Sequence, residues 1–99
     1  MRAARPGQAV ISRLHASFHR DFDRLPHAVQ RRARAAYRRF AADPNHPGLQ
    51  FKRLNAALPL WSVRVNESYR AVGVRRGENE IVWFFIESHA DYDKLLATL

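Results

Sequence analysis

The sequence predicts an α+β fold: an N-terminal helical pair packed on a small antiparallel sheet of three to four strands, with a short C-terminal helix. Three observations carry this. Val29, Ala33, Ala36, Tyr37 and Phe40 recur at helical spacing and form one apolar stripe. Trp61-Ser62-Val63-Arg64-Val65 alternates with period two. Ile81 to Ile86 is an unbroken apolar run of six residues, as expected of a strand covered on both faces.

The elements follow in order. Residues 1–8 are a basic start with no packing pattern. Ala9-Val10-Ile11-Ser12 reads as a short strand that adds to the sheet. Ser17 reads as the cap of a first helix over about 17–24, because a hydroxyl accepts an orphan backbone N–H. Pro26 lacks an N–H and suits a helix start, so it opens a second helix over about 26–42. Asp43-Pro44-Asn45-His46-Pro47-Gly48 ends that helix with a run of turn residues. Trp61, Val63 and Val65 share one strand face, and Ser62 and Arg64 the other. Asn66-Glu67-Ser68 turns into a second strand, Tyr69 to Arg75. Arg76-Gly77-Glu78-Asn79 turns into a third, over 80–87. Asp91 to Thr98 forms the terminal helix. The sheet is a three-stranded meander, and the helices must cover one face of it to bury both apolar surfaces.

Length and composition bound the rest. A chain of 99 residues makes one domain, here 1–99. It buries only about two-thirds of its unfolded surface. Without cysteine, nothing suggests disulfides, thiolate zinc or a thiol nucleophile, and the chain suits a reducing cytoplasm. No apolar run approaches the roughly 20 residues that cross a bilayer. No apolar signal core follows the basic start. The charge is the strongest global clue: 17 Lys plus Arg against 9 Asp plus Glu give +8. Only Lys52 and Lys94 are lysines; the remaining cations are arginines, whose planar fork suits phosphate and carboxylate. An acidic partner is expected: RNA, DNA or an acidic protein segment.

Arg64, Arg70 and His89 form the constellation most suited to chemistry. Arg64 lies on the first strand of the meander and Arg70 opens its neighbour. The third strand ends at His89, near where the second begins. Arginines hold a phosphate and stabilise charge as it develops. Histidine moves protons near neutral pH. Tyr92 is placed to donate a proton, orient a substrate or stack on a base. A structural reading stands beside this one: both arginines paired with Glu67, Glu87 or Asp91, and His89 capping the last helix. Lys52 and Arg53, just before the meander, extend a basic groove toward Arg64. Arg31, Arg32, Arg34, Arg38 and Arg39 suit a nucleic-acid backbone, an acidic partner, or simply a solvated helix face. His15 and His19 have i, i+4 spacing, but no carboxylate completes a metal set. His46 reads as a turn residue, and Trp61 and Trp83 as core. No cofactor or metal is expected, and no phosphate loop, GxSxG elbow or HExxH occurs.

The whole pattern resembles the RelE/ParE superfamily of toxins from bacterial type II toxin–antitoxin systems. The resemblance runs through Phe18 to Leu25-Pro26, the Ala/Arg-rich second helix, and Asp43 to Lys52. It continues with Trp61-Ser62-Val63-Arg64-Val65, Tyr69-Arg70-Ala71-Val72-Gly73-Val74, and Val82-Trp83 to His89-Ala90-Asp91-Tyr92. It implies a small basic toxin neutralised by a cognate acidic antitoxin. RelE-like members cut mRNA on the ribosome, with the 2′-hydroxyl as nucleophile. On that resemblance Arg64 and Arg70 clamp the phosphate, His89 acts as general acid or base, Tyr92 assists, and Lys52 and Arg53 bind RNA along the approach. ParE-like members instead inhibit DNA gyrase without nuclease chemistry; His89 and Tyr92 tilt the reading toward RNA cleavage. Relatives often carry glycine where this chain has Glu87. That carboxylate has three readings: pairing with Arg70, repelling RNA, or serving in catalysis. A third possibility is an inactive binding module of the same fold.

Overall fold

The computed structural model describes residues 10–99; the basic start over 1–8 and the first residue of the expected Ala9–Ser12 strand lie outside the described residues. The element order is β1 (Ile11–Leu14), α1 (Ala16–Asp23), α2 (His27–Ala42), β2 (Lys52–Arg53), β3 (Leu60–Arg64), β4 (Tyr69–Arg76), β5 (Glu80–Ser88) and α3 (His89–Ala97), with a 3-10 turn at Pro47–Leu49. The predicted fold class stands: a helical pair, a sheet and a short C-terminal helix. The sheet differs in detail. It has five strands in the order β1-β5-β4-β3-β2. The meander β3-β4-β5 is antiparallel as expected, whereas β1 runs parallel to β5. The extra strand, β2, has only two residues, Lys52 and Arg53, paired with Ser62 and Trp61. A two-residue strand carries no alternation for a reader of sequence to detect.

β5 is central, between β1 and β4, which accounts for its continuous apolar run. The register of β4 and β5 slips between Val72 and Gly73: Val72 faces Phe85 and Gly73 faces Trp83, so Phe84 is passed over. This bulge changes the period of the strand. Ile81, Trp83 and Ile86 are all buried in the same core, at spacings of two and then three. The same shift turns Glu87 onto the face that carries Arg64 and Arg70, since cross-strand partners share a face.

β1 ends at Leu14, leaving the rest of the β5 edge without a strand partner. α1 covers it. Ser17 Oγ donates to the Phe84 carbonyl at 2.6 Å, and the Ile86 N–H donates to Asp21 at 3.4 Å. Residues 17 and 21 are one helical turn apart, so a helix face continues the ladder and blunts an edge. This corrects the expected cap: His15, not Ser17, caps α1, its Nδ1 accepting from the Ser17 N–H at 3.1 Å. Ser17 is thereby free to bond the strand.

α2 buries Val29, Ala36 and Phe40 as the stripe predicts. Phe40 sets its ring edge-on against Phe51 and Trp83, with centroids 5.0 and 5.5 Å away. Tyr37 departs from the expected stripe: it is 53% exposed. It stands at the lip of an apolar cleft of about 370 Å³, which runs between the helical pair and the sheet and is lined by Leu14, Phe18, Phe22, Val65 and Ile86 among others. The opposite sheet face is covered by α3. Ser88 caps that helix, so it begins at His89, two residues earlier than expected.

Candidate functional site

The site is built on the sheet face under α3. Arg64 and Arg70 are direct cross-strand partners, and Arg70 is in turn the partner of Glu87. Two residues along, Ser62 faces Val72, and Lys52 faces Ser62. Lys52, Ser62, Arg64, Arg70 and Glu87 therefore share one face. Ser62 shares the face of Arg64, as expected from the alternation; it is fully buried, because α3 lies over it and brings Tyr92 Oη within 3.4 Å of its hydroxyl.

α3 supplies the remaining groups. The Ser88 cap and a 2.6 Å bond from the His89 N–H to the Ser68 carbonyl fix the start of the helix against the β3–β4 turn. The Arg70 guanidinium lies 5.4 Å from the Tyr92 ring centroid, and the His89 ring stands edge-on to Tyr92 at 5.6 Å. His89 and Arg70 thus flank one aromatic ring, as their positions at the end of β5 and the start of β4 predict. Tyr92 itself is only 3% exposed. Its ring is the floor of the site.

The arginines are not neutralised. Among the described residues the ion pairs are Arg13–Glu80 and Lys94–Asp91, with His89–Asp93 a third when the imidazole is protonated; neither Arg64 nor Arg70 takes part. Arg70 Nη2 donates to Gln50 Oε1 at 2.9 Å, while Nη1 is shut off from solvent with no partner. Glu87 turns to other company. Burial raises its carboxyl above the usual carboxylate range, and the negative charges of Asp21 and Asp91 raise it further, against the opposing pull of Arg24.

His89 Nδ1 lies 3.1 Å from Asp93 Oδ2, one helical turn on. An Nδ1–H donated there leaves Nε2 with its lone pair, the form a general base requires. Asp93 and Gln50 are contributors that sequence reasoning missed. The i, i+4 spacing of His89 and Asp93 was a usable signal; nothing in the sequence pointed from Gln50 to Arg70. Arg53 does not join the others. Its guanidinium is spent on the carbonyls of Asn55, Ala56 and Leu58, where it braces the following loop. His15 and His19 lie at α1, away from this face, and no cluster of three or more potential metal ligands occurs among the described residues. No described helix is long and apolar enough to cross a membrane.

Comparison with known proteins agrees with this architecture. A family model described as a ParE-like toxin domain matches residues 27–94. Among solved structures, the chain resembles one from the toxin–antitoxin complex RelBE2 of Mycobacterium tuberculosis, with TM-score 0.58 and 21% identity over 82% of this chain and 99% of that one. It also resembles a copper-bound mutant toxin from Helicobacter pylori, with TM-score 0.57 and 19% identity over 83% and 97%. Identities this low speak for the fold alone. No curated protein matches.

Proposed function

The chain belongs to the family of ParE-like toxin domains, and from that premise we propose that it is the toxin of a type II toxin–antitoxin system that cleaves mRNA on the ribosome. The observation that carries the reading is the Arg64–Arg70 pair. Like charges directly opposite on neighbouring strands destabilise a sheet. Here they face each other and neither makes an ion pair with a carboxylate, although Glu87 stands opposite Arg70 on β5. Local conflicts of this kind are expected at functional sites, where an absent ligand resolves them. A phosphate diester is such a ligand.

In the proposed reaction Arg64 and Arg70 hold the scissile phosphate. His89 Nε2, with Asp93 on its other nitrogen, takes the proton of the 2′-hydroxyl. The 2′-oxygen bonds to phosphorus, the bond to the 5′-oxygen breaks, and that oxygen takes a proton from water, whose hydroxide recovers the proton held on His89. The products are a 2′,3′-cyclic phosphate and a 5′-hydroxyl. Tyr92 assists as the floor that orients Arg70 and His89. Lys52 draws the RNA toward the face, and Arg53 holds the loop beside it. The acting unit is the single domain of residues 1–99, working in the cytoplasm without cofactor or metal. An acidic antitoxin segment covers the basic surface until the toxin is released; the complexed state of the Mycobacterium relative supports this.

The ParE-like character of the family model favours a second target, DNA gyrase, bound without nuclease chemistry. Mapping mRNA 5′ ends at nucleotide resolution after induction separates the two. The nuclease reading expects discrete cuts in translated messages, absent in folded Arg70→Ala and His89→Ala variants. Intact mRNA together with accumulating cleaved DNA would move the assignment to gyrase.

A further inference from the structure

Gln50 is the only non-glycine residue with positive φ among the described residues, at φ 47 and ψ 44. It ends the Pro47–Leu49 turn, its N–H donating to the Pro47 carbonyl at 3.2 Å, and redirects the chain into β2. Glycine occupies such positions freely, and asparagine repays part of the strain with local bonds. Glutamine has neither advantage. Its side chain makes one hydrogen bond among the described residues, accepting from Arg70 Nη2 at 2.9 Å.

We infer that Gln50 is a positioning residue, held in strained backbone so that its amide oxygen fixes the orientation of the Arg70 guanidinium for an incoming phosphate. The functional half of this rests on the nuclease reading above. A carboxylate at position 50 would also reach Arg70, but it would cancel the charge the substrate needs. An amide oxygen holds the cation without discharging it. With Tyr92 beneath and Gln50 at Nη2, the guanidinium has a fixed plane.

Two substitutions test this. Gln50→Gly removes the acceptor and relaxes the backbone; Gln50→Glu keeps the reach and adds charge. Each is read by melting temperature, by the side-chain Nη–H signals of Arg70 in 15N NMR, and by single-turnover cleavage of ribosome-bound mRNA. Gln50→Gly is expected to melt close to the parent, the relaxed backbone offsetting most of the lost hydrogen bond, and to lose the restricted Arg70 signals. Its cleavage rate at saturation should fall about tenfold, with half-saturation changed by less than about threefold. Gln50→Glu is expected to melt higher yet cleave roughly a hundredfold more slowly. Unchanged Arg70 signals in Gln50→Gly would overturn the positioning role. Altered signals with parental cleavage would overturn its functional consequence. A parent chain that cuts no mRNA would refute the nuclease reading itself, and the NMR signals would still decide whether Gln50 holds Arg70.

Discussion

On the proposed nuclease reading, replacing Arg70 with glutamine should slow cleavage about a hundredfold or more while barely moving stability, and the structure lets both sides be weighed. The substitution ends the Arg64–Arg70 confrontation, a relief of about 0.2–1 kcal/mol. It also removes the buried unpartnered Nη1, a relief of about 1–3 kcal/mol. Against these stand the loss of the cation over Tyr92, about 0.5–1 kcal/mol, and of a charged hydrogen bond to Gln50, about 1.5–3 kcal/mol. The terms nearly cancel, so the net change should stay within about 1 kcal/mol, or roughly 4–8 °C in Tm for a domain this size. Catalysis has no such compensation. Removing one preorganised donor to developing charge costs about a hundredfold to a thousandfold in rate. The assay is thermal unfolding by circular dichroism alongside ribosome-programmed mRNA cleavage on the same purified variant. Cleavage within about threefold of the parent would refute the phosphate clamp. A fall in Tm beyond about 15 °C would show that Arg70 serves the fold.

Two further outcomes follow from neighbouring residues. A Cβ at Gly73 would lie 2.9 Å from Ile81 Cγ1 and Trp83 Cε3 and 3.0 Å from the Val82 carbonyl oxygen; Gly73→Ala should cost about 1–3 kcal/mol by overpacking at the bulge, and an unchanged Tm would show that the two strands give way freely. Glu87 is raised, so the folded chain holds its proton more tightly than the unfolded chain does. Its favourable contribution is present below the unfolded value of 4.5 and is lost as pH rises through the folded value. Glu87→Gln should therefore raise Tm at about pH 7 and lose that advantage near pH 4; an equal gain at both would exclude ionisation as the cause.

The fold was legible wherever a period ran long enough to be counted. α2 announced itself through Val29, Ala36 and Phe40, and the meander through Trp61 to Ile86, because each repeats its burial over several residues. What escaped was set by contacts distant in sequence. Nothing within its own strand shows that Ser62 is interior; α3, thirty residues on, makes it so. The parallel pairing of β1 depends on β5, which nothing within Ile11–Leu14 reveals. At the site, the closeness of Arg64, Arg70 and His89 followed from hairpin topology alone. Which cations stay free did not: Lys52 and Arg53 are adjacent in sequence, yet strand alternation sends one to the site face and the other to the Asn55–Leu58 loop.

The order of strands has a bearing on synthesis. β5 is the penultimate element in the chain, yet it lies between β1 and β4 and carries the hydrogen bonds of α1's Ser17 and Asp21. During translation β1 and the edge-capping face of α1 wait for it without a template, and Arg64 and Arg70 wait for the helix that follows it. A ribosome stalled before residue 80 holds a chain with both arginines but without Tyr92 and His89 to complete their surroundings. The side chains of the proposed site are thus brought together last, by the same strand that closes the sheet.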